Sequence, residues 1–476
     1  MDIVTVLKTA VAAPIIGVFL IPIANKISVK ARNACAVALG LVTFAACASL
    51  LSPMMKGLTA TYSVDFPLGF DFVLSADLLS VFMAAIFSFV SVIILVYSLD
   101  YISRYENQTE YYAMIALFLG SMMGLVFSAN LLWLYIFWEI TAIAGWRLAG
   151  FFRSDRDVAK ANKMLLVAVF GGLCMLIGIL MIYSDKGTLD LRFLKGEIIP
   201  PAAAALLLAG IFAKSATLPF SAWLSDAAAA PAGVGALLAV VLVNAGVYAY
   251  ARIFGAVFAT PAGFSCLTLV PAGLSALVAA GAALIEKDIK RILAYSAVSQ
   301  TGFIFLGLAS GNKTAFIGGL LYILMHSMAA GALFLCAGII EQKTHTRDIA
   351  RLGGLFKTMP VTAAAFALAS LSVMGIPPFG GFFSKFLVFK GAMQNANPLV
   401  LTLFFCGALL TFLYLARLFY LVFLGEEKVQ NPKEGSALML AGVLAPALIG
   451  LALGALIYYP CVYADLLAAR LGVNLE

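Results

Sequence analysis

The chain has 476 residues, of which 63% are apolar and 11% charged. A soluble domain carries roughly a quarter charged residues, so this composition excludes a water-soluble globule, and it excludes intrinsic disorder for the same reason. The net charge of +7 lies in short connections between apolar runs, with no basic cluster interleaved with aromatics, which argues against nucleic acid as a partner.

Apolar runs of about 20 residues recur along the whole chain, as helices that satisfy their own backbone hydrogen bonds across a bilayer require. The predicted fold is an all-α integral membrane protein of about 14 transmembrane helices. Their cores fall at about 4–24, 33–54, 77–98, 112–128, 130–150, 164–184, 201–220, 232–255, 264–285, 291–310, 315–340, 360–392, 398–424 and 436–459. The first run follows Lys8 but lacks a small-residue cleavage site, so it reads as a span and not a signal peptide. No connection is long enough for an extramembrane domain. Residues 1–476 therefore read as a single polytopic membrane domain. Lys and Arg concentrate in the connections after odd-numbered spans, about 17 against about seven, which predicts cytoplasmic odd loops and outward-facing termini.

Two spans are broken. The seventh reads GIFAKSATLPFSAWL with Pro219 inside it, and the twelfth reads SVMGIPPFGGFFSKFL with Pro377 and Pro378. Proline removes a backbone donor and clashes with the preceding turn, so both helices should be interrupted there. They run in opposite directions, and each carries a lysine near its break, Lys214 and Lys385. Inverted repeats with discontinuous helices point to an ion or substrate path.

Few ionisable residues lie within the spans. Glu139 is about ten residues into the fifth, Lys214 is in the seventh, His326 mid-span in the eleventh, and Lys385 in the twelfth beyond its break. A charge at mid-membrane costs a few kcal/mol or more, so these groups should face the bundle interior and pair. Burial disfavours the charged form of a side chain, and an opposite charge restores it. A carboxylate and an ammonium about 7 Å apart gain roughly 2 kcal/mol at an effective dielectric near 20. Making or breaking such a pair can switch a buried lysine between its two states, the minimum for a gated proton relay. The plainer reading of the lysines is a counter-ion holding a broken helix. For Glu139 it is a partner for Lys214 or for Arg147, two turns along the same helix. For His326 it is a hydrogen-bonded interior histidine. Arg147 and Arg417 lie nearer span ends and read as structural or snorkelling residues. Asp77 reads as a helix N-terminal residue. The seven scattered cysteines read as small apolar residues, and no P-loop, nucleophile elbow or His/Cys ligand cluster is present. The chain is expected to have no catalytic centre, metal or cofactor of its own.

Six stretches together carry a resemblance: SANLLWLYIFWEITAI, AKSATLPFSAWLSDA, NAGVYAYARI, EKDIKRILAYSAVSQTGFIFLGL, TRDIARLGGL and GIPPFGGFFSKFL. From about Asp77 to Gly425 the chain resembles the antiporter-like subunits of respiratory complex I, of energy-converting membrane-bound hydrogenases and of Mrp-type cation/proton antiporters. The resemblance implies fourteen transmembrane helices, with inverted five-helix repeats at approximately 112–255 and 264–424. It also implies a hydrated charge axis in which Glu139, Lys214, His326 and Lys385 match the relay positions, joining two proton half-channels. Where members of the family carry titratable residues, this chain has Ala239 and Asn244 on the eighth span, Ala330 on the eleventh and Gly172 on the sixth. Arg147 is an added charge. Asn244 could hold a water but cannot carry the charge.

The leading expectation is a proton-translocating subunit, with sodium as a further candidate ion, of a redox-driven complex of the complex I or membrane-bound hydrogenase type. Its partners would be other membrane subunits, further antiporter-like subunits among them, and a peripheral iron–sulfur redox module. The alternatives are a subunit of an Mrp-type antiporter without redox chemistry, and a structural subunit whose proton path is interrupted. A prokaryotic plasma membrane is the expected location.

Overall fold

The computed structural model describes residues 2–67, 70–261, 263–394, 398–429 and 432–471. The chain divides into two compact units. The first comprises Met1–Leu95, Ile102–Lys214 and Ala245–Phe264, and the second Val96–Tyr101, Ser215–Asn244 and Ser265–Glu476. Helices dominate both, and eleven among the described residues are long and apolar enough to cross a membrane.

In the first unit, α1 (Ile3–Ile27) packs on α2 (Val29–Met55) and on α4 (Gln108–Phe127). From α4 the packing continues through α5 (Leu131–Ala149) and α6 (Asp155–Lys186) to α7 (Pro201–Lys214). The ends are set by local chemistry. Asn130 caps α5 by accepting from the Leu132 amide at 2.9 Å. Ser154 caps α6, whose first turn holds Asp155 and Asp157, and Gly187 closes it at φ 68°. Glycines allow α6 and α7 to approach closely: a Cβ on Gly210 would lie 2.7 Å from the Gly171 carbonyl oxygen.

Between α2 and α3 (Leu78–Tyr101) lies an antiparallel hairpin of β1 (Ala60–Val64) and β2 (Phe72–Ala76), with Ala60 opposite Ala76. By sequence pattern alone this stretch reads as a plain connection.

In the second unit, α13 (Lys313–Thr344) is the central post, buried along nearly its whole length. Around it pack α12 (Ile289–Leu308), α14 (Pro360–Met374), α15 (Gly380–Gln394) and α17 (Ala437–Ala455). A terminal helix, α18 (Tyr458–Arg470), also rests on α13, with Asp465 pairing to Lys313 at 2.9 Å. That helix was not expected. The helix α16 (Pro398–Phe419) packs on α12 and α14 and ends in a π-helical turn at Tyr420–Leu424. The segment Ala232–Val257 is also helical, with α9 (Ala232–Ala236) and α10 (Val243–Tyr250) each followed by a π-helical turn, Leu237–Leu242 and Ala251–Val257, and from Ala245 on it belongs to the first unit.

Both expected breaks are present. The helix α7 stops at Lys214 and does not run on to 220. Ala216 takes a left-handed φ of 52°, Leu218–Pro219 is cis, and a short helix resumes at Ala222–Ala227. In the twelfth span α14 stops at Met374, Gly375 takes φ 81°, Pro377–Pro378 is cis, and α15 begins at Gly380. Backbone groups freed by the breaks find side-chain partners. The Leu218 amide donates to Ser275 Oγ at 2.9 Å, and the Val373 carbonyl accepts from Lys385 Nζ at 2.7 Å.

Candidate functional site

Lys214 ends α7 and is 4% exposed. Its ammonium donates to the Trp138 carbonyl at 2.6 Å and to Thr141 Oγ1, residues that flank Glu139 on α5, and it lies 4.5 Å from the Trp138 ring centroid. The Glu139 carboxylate acts on this ammonium electrostatically, yet no ion pair joins them among the described residues, and Glu139 Oε1 is buried without a hydrogen-bond partner. The carboxylate fills the space above Gly172 of α6, where a Cβ would collide with Oε1. The absence of a side chain at Gly172 is what makes room for Glu139.

Arg147 does not pair with Glu139. Although two turns along the same helix, its guanidinium reaches Glu110 at the start of α4, and Arg153 joins the same carboxylate at 2.5 Å. The side chain leans towards the nearer helix end, where half-exposed partners are available, as snorkelling predicts.

The second unit holds Lys385, 6% exposed. Besides the Val373 carbonyl, its ammonium sits 4.6 Å from the centroid of Phe303 and 5.4 Å from that of Tyr322. One carbonyl and two aromatic faces form a cation box without a carboxylate. The two lysines are therefore held differently. Lys214 lies before its break, and Lys385 lies after its break and reaches back over it.

His326 is one turn along α13 from Tyr322, with ring centroids 6.0 Å apart, and is 2% exposed. Its Nδ1 has no hydrogen-bond partner, and Lys385 is near enough to act on it electrostatically. Asn244 donates from Nδ2 to Ser327 Oγ at 3.2 Å, while its Oδ1 is buried and unpartnered. Arg417 donates to the Glu286 carbonyl at 3.2 Å, near the end of α16.

Two partly buried ion pairs are not visible in the sequence pattern. Asp77 does act as a helix N-terminal residue, its Oδ1 accepting from the Ser80 amide at 2.8 Å. It also takes a two-pronged contact from Arg252, at 2.5 and 2.8 Å, and Arg252 Nε donates to Tyr248 at 3.0 Å. Lys290, 1% exposed, pairs with Glu341 at 2.5 Å and donates to the Ala230 carbonyl. Both lie near helix ends, where basic residues count as loop charges in a sequence-only reading. No cluster able to hold a metal ion occurs among the described residues.

Residues 128–411 match the family described as NADH:quinone oxidoreductase/Mrp antiporter, TM. The chain belongs to that family. Among relatives of this family, it is 33% identical over 472 residues to the A subunit of the Na(+)/H(+) antiporter of Alkalihalophilus pseudofirmus, covering 90% of this chain and 58% of that protein. It is 32% identical over 486 residues to the A1 subunit of the Na(+)/H(+) antiporter of Staphylococcus haemolyticus, covering 94% of this chain and 60% of that protein. The chain thus spans about three-fifths of the length of these relatives. Its fold is that of a subunit of the Mrp complex from Dietzia sp. DQ12-45-1b, with a TM-score of 0.90 at 22% identity over 99% of this chain and 98% of that one. It is equally that of a subunit of the membrane-bound sulfane sulfur reductase, an archaeal respiratory membrane complex, at 0.91 and 22% over 98% and 97%.

Proposed function

We propose that this chain is an ion-translocating, antiporter-like subunit of an Mrp-type multisubunit cation/proton antiporter in a prokaryotic plasma membrane. The observation that carries this reading is the 33% identity, over 90% of the chain, to a protein of an Na(+)/H(+) antiporter. It favours the Mrp-type alternative over the redox-driven complex expected first. The likeness to the sulfane sulfur reductase is one of fold and brings no iron–sulfur module with it.

In this reading the chain crosses the membrane fourteen times as two inverted repeats, with the Lys287–Arg291 end of α12 cytoplasmic and both termini outside. The repeat is supported by the two breaks, each with a left-handed residue three positions before a proline, and by the π-helical turns that close spans eight and thirteen. Glu139, Lys214, His326 and Lys385 are the proton carriers. Lys214 is neutralised or charged according to the state of Glu139, whose Oε1 has no competing partner. Asn244 Oδ1 is an unmet acceptor and His326 Nδ1 an unpartnered ring nitrogen, both of which ordered water would satisfy, so Asn244 keeps a path open without titrating. Other antiporter-like membrane subunits are the partners, and H+ with Na+ or another monovalent cation are the ions.

The test is purification through a tag on this chain in mild detergent, with mass spectrometry and a visible spectrum, followed by cation-driven ΔpH assays in everted vesicles. A colourless assembly of membrane subunits is expected, with transport lost on Lys385→Ala or Lys214→Ala. Co-purified iron–sulfur subunits with broad visible absorbance would return the chain to the redox-driven class. Full transport by Lys385→Ala would remove that residue from the relay.

A further inference from the structure

The middle of α12 carries Ser296, Ser299, Gln300 and Thr301, all buried. Buried polar side chains in a membrane helix are costly unless satisfied. Two of them, Ser296 and Gln300, belong to a file of hydrogen bonds within the second unit. The Tyr322 hydroxyl donates to Gln300 Oε1 at 2.6 Å. Gln300 Nε2 donates to Thr411 Oγ1 and to the Tyr414 hydroxyl, each at 3.3 Å. The Tyr414 hydroxyl donates to Ser296 Oγ at 2.7 Å.

The two ends of the file differ in kind. At one end the Tyr322 ring is a wall of the Lys385 cation box. At the other, one turn beyond Tyr414, Arg417 binds the Glu286 carbonyl, and Arg291 pairs with Glu286 at 3.3 Å while remaining partly exposed. Gln300 lies about 16 Å along α12 from its first residue and Ser296 about 10 Å, by helical rise. The file therefore descends from mid-span towards the membrane face that carries Glu286. Polar residues that serve only as helix glue pair locally across an interface. These residues instead run across two interfaces, α12 with α13 and α12 with α16, share one sense of donation from Tyr322 to Ser296, and run from the wall of the Lys385 box towards the helix end that carries Glu286.

We propose that Tyr322, Gln300, Tyr414 and Ser296 line the route by which protons pass between Lys385 and the membrane face bearing Glu286 and Arg291. The proposal rests on Lys385 being a proton carrier. Each hydroxyl, or a water bound to it, accepts one proton and passes on another, so it is unchanged after a transfer. One proton enters at the Glu286 end for each delivered to the Lys385 amine, or the reverse. Gln300 keeps its own protons. It is a positioning residue that holds the two phenols in line.

The experiment uses the assembled complex, tagged on this chain, in everted vesicles, with Na+ and K+ pulses as probes and ΔpH as the readout. Tyr414→Phe and Ser296→Ala are each expected to slow transport about fivefold to tenfold, the worth of one lost hydrogen bond at a rate-limiting step, with the amount of assembled complex unchanged. Ser296→Thr, which restores a hydroxyl, is expected to restore transport. In a Lys385→Ala background the ladder variants should cause no further loss. Tyr97→Phe, which removes a buried hydroxyl donating to the Leu335 carbonyl elsewhere in this unit, serves as a control that retains transport. If Tyr414→Phe fails to assemble, the smaller change at Ser296 carries the test. Transport that falls only in proportion to assembly, or that Ser296→Ala leaves intact while Lys385→Ala abolishes it, overturns the ladder alone. Full transport by Lys385→Ala overturns the ladder and the relay role of Lys385 together.

Discussion

The Glu139 carboxylate sits over a glycine, and this contact joins two facts that look unrelated in the sequence. Gly172 lies on α6 and Glu139 on α5, and a Cβ at 172 would occupy the position of Glu139 Oε1. Gly172→Ala is therefore expected to swing Glu139 away from Lys214. Overpacking of this kind costs about 1–3 kcal/mol, so thermal unfolding of the purified complex should shift downward, with ion transport falling as well. Normal transport with an unshifted unfolding temperature would show that Glu139 has another place to go. The mid-span residues were legible beforehand because an ionisable group there is too costly to be accidental. Lys290 and Arg252 were not, although one is almost wholly buried and the other pairs with Asp77. A basic residue within the first or last turns of a helix reads the same whether it points to water or to a carboxylate.

Among the elements, the broken helices show what proline patterning can and cannot specify. Pro219 and Pro377–Pro378 placed both interruptions, but nothing in the pattern indicated which residue would absorb the reversal. In the twelfth span it is Gly375, the residue type suited to positive φ, and in the seventh it is Ala216 at φ 52°. An L-residue with a Cβ pays about 1–2 kcal/mol there, so Ala216→Gly should be tolerated and should raise the unfolding temperature slightly. Ala216→Val should lower it by more, since a β-branched side chain is least suited to this region. Equal unfolding temperatures for the two variants would mean that the backbone at 216 does not hold this conformation. Strand and helix signals short of membrane length were lost for a different reason. In a chain so rich in long apolar runs, the five-residue strands of the hairpin and the thirteen-residue α18 look like connections. They are secured by strand pairing and by packing on α13, which periodicity alone does not reveal.

At the scale of the whole molecule, the two lysines belong to different compact units, and Lys214 is the last residue of its segment of the first. Each has its own local device. Lys214 is served by a helix carbonyl, a threonine hydroxyl and a nearby carboxylate, and Lys385 by a carbonyl and two rings. In the proposed relay, such separate environments would let each carrier be tuned without disturbing the other. A series arrangement makes a definite prediction. If every transported proton must visit both carriers, removing either one blocks the path, and the Lys214→Ala/Lys385→Ala double variant should transport no more slowly than the slower single variant. Two independent paths would instead give single variants whose residual rates sum to the intact rate, and a double variant that loses transport. The comparison needs only initial ΔpH rates normalised to assembled complex. Partial single losses of this kind, with no transport in the double variant, would rule out the series arrangement and assign a separate path to each unit.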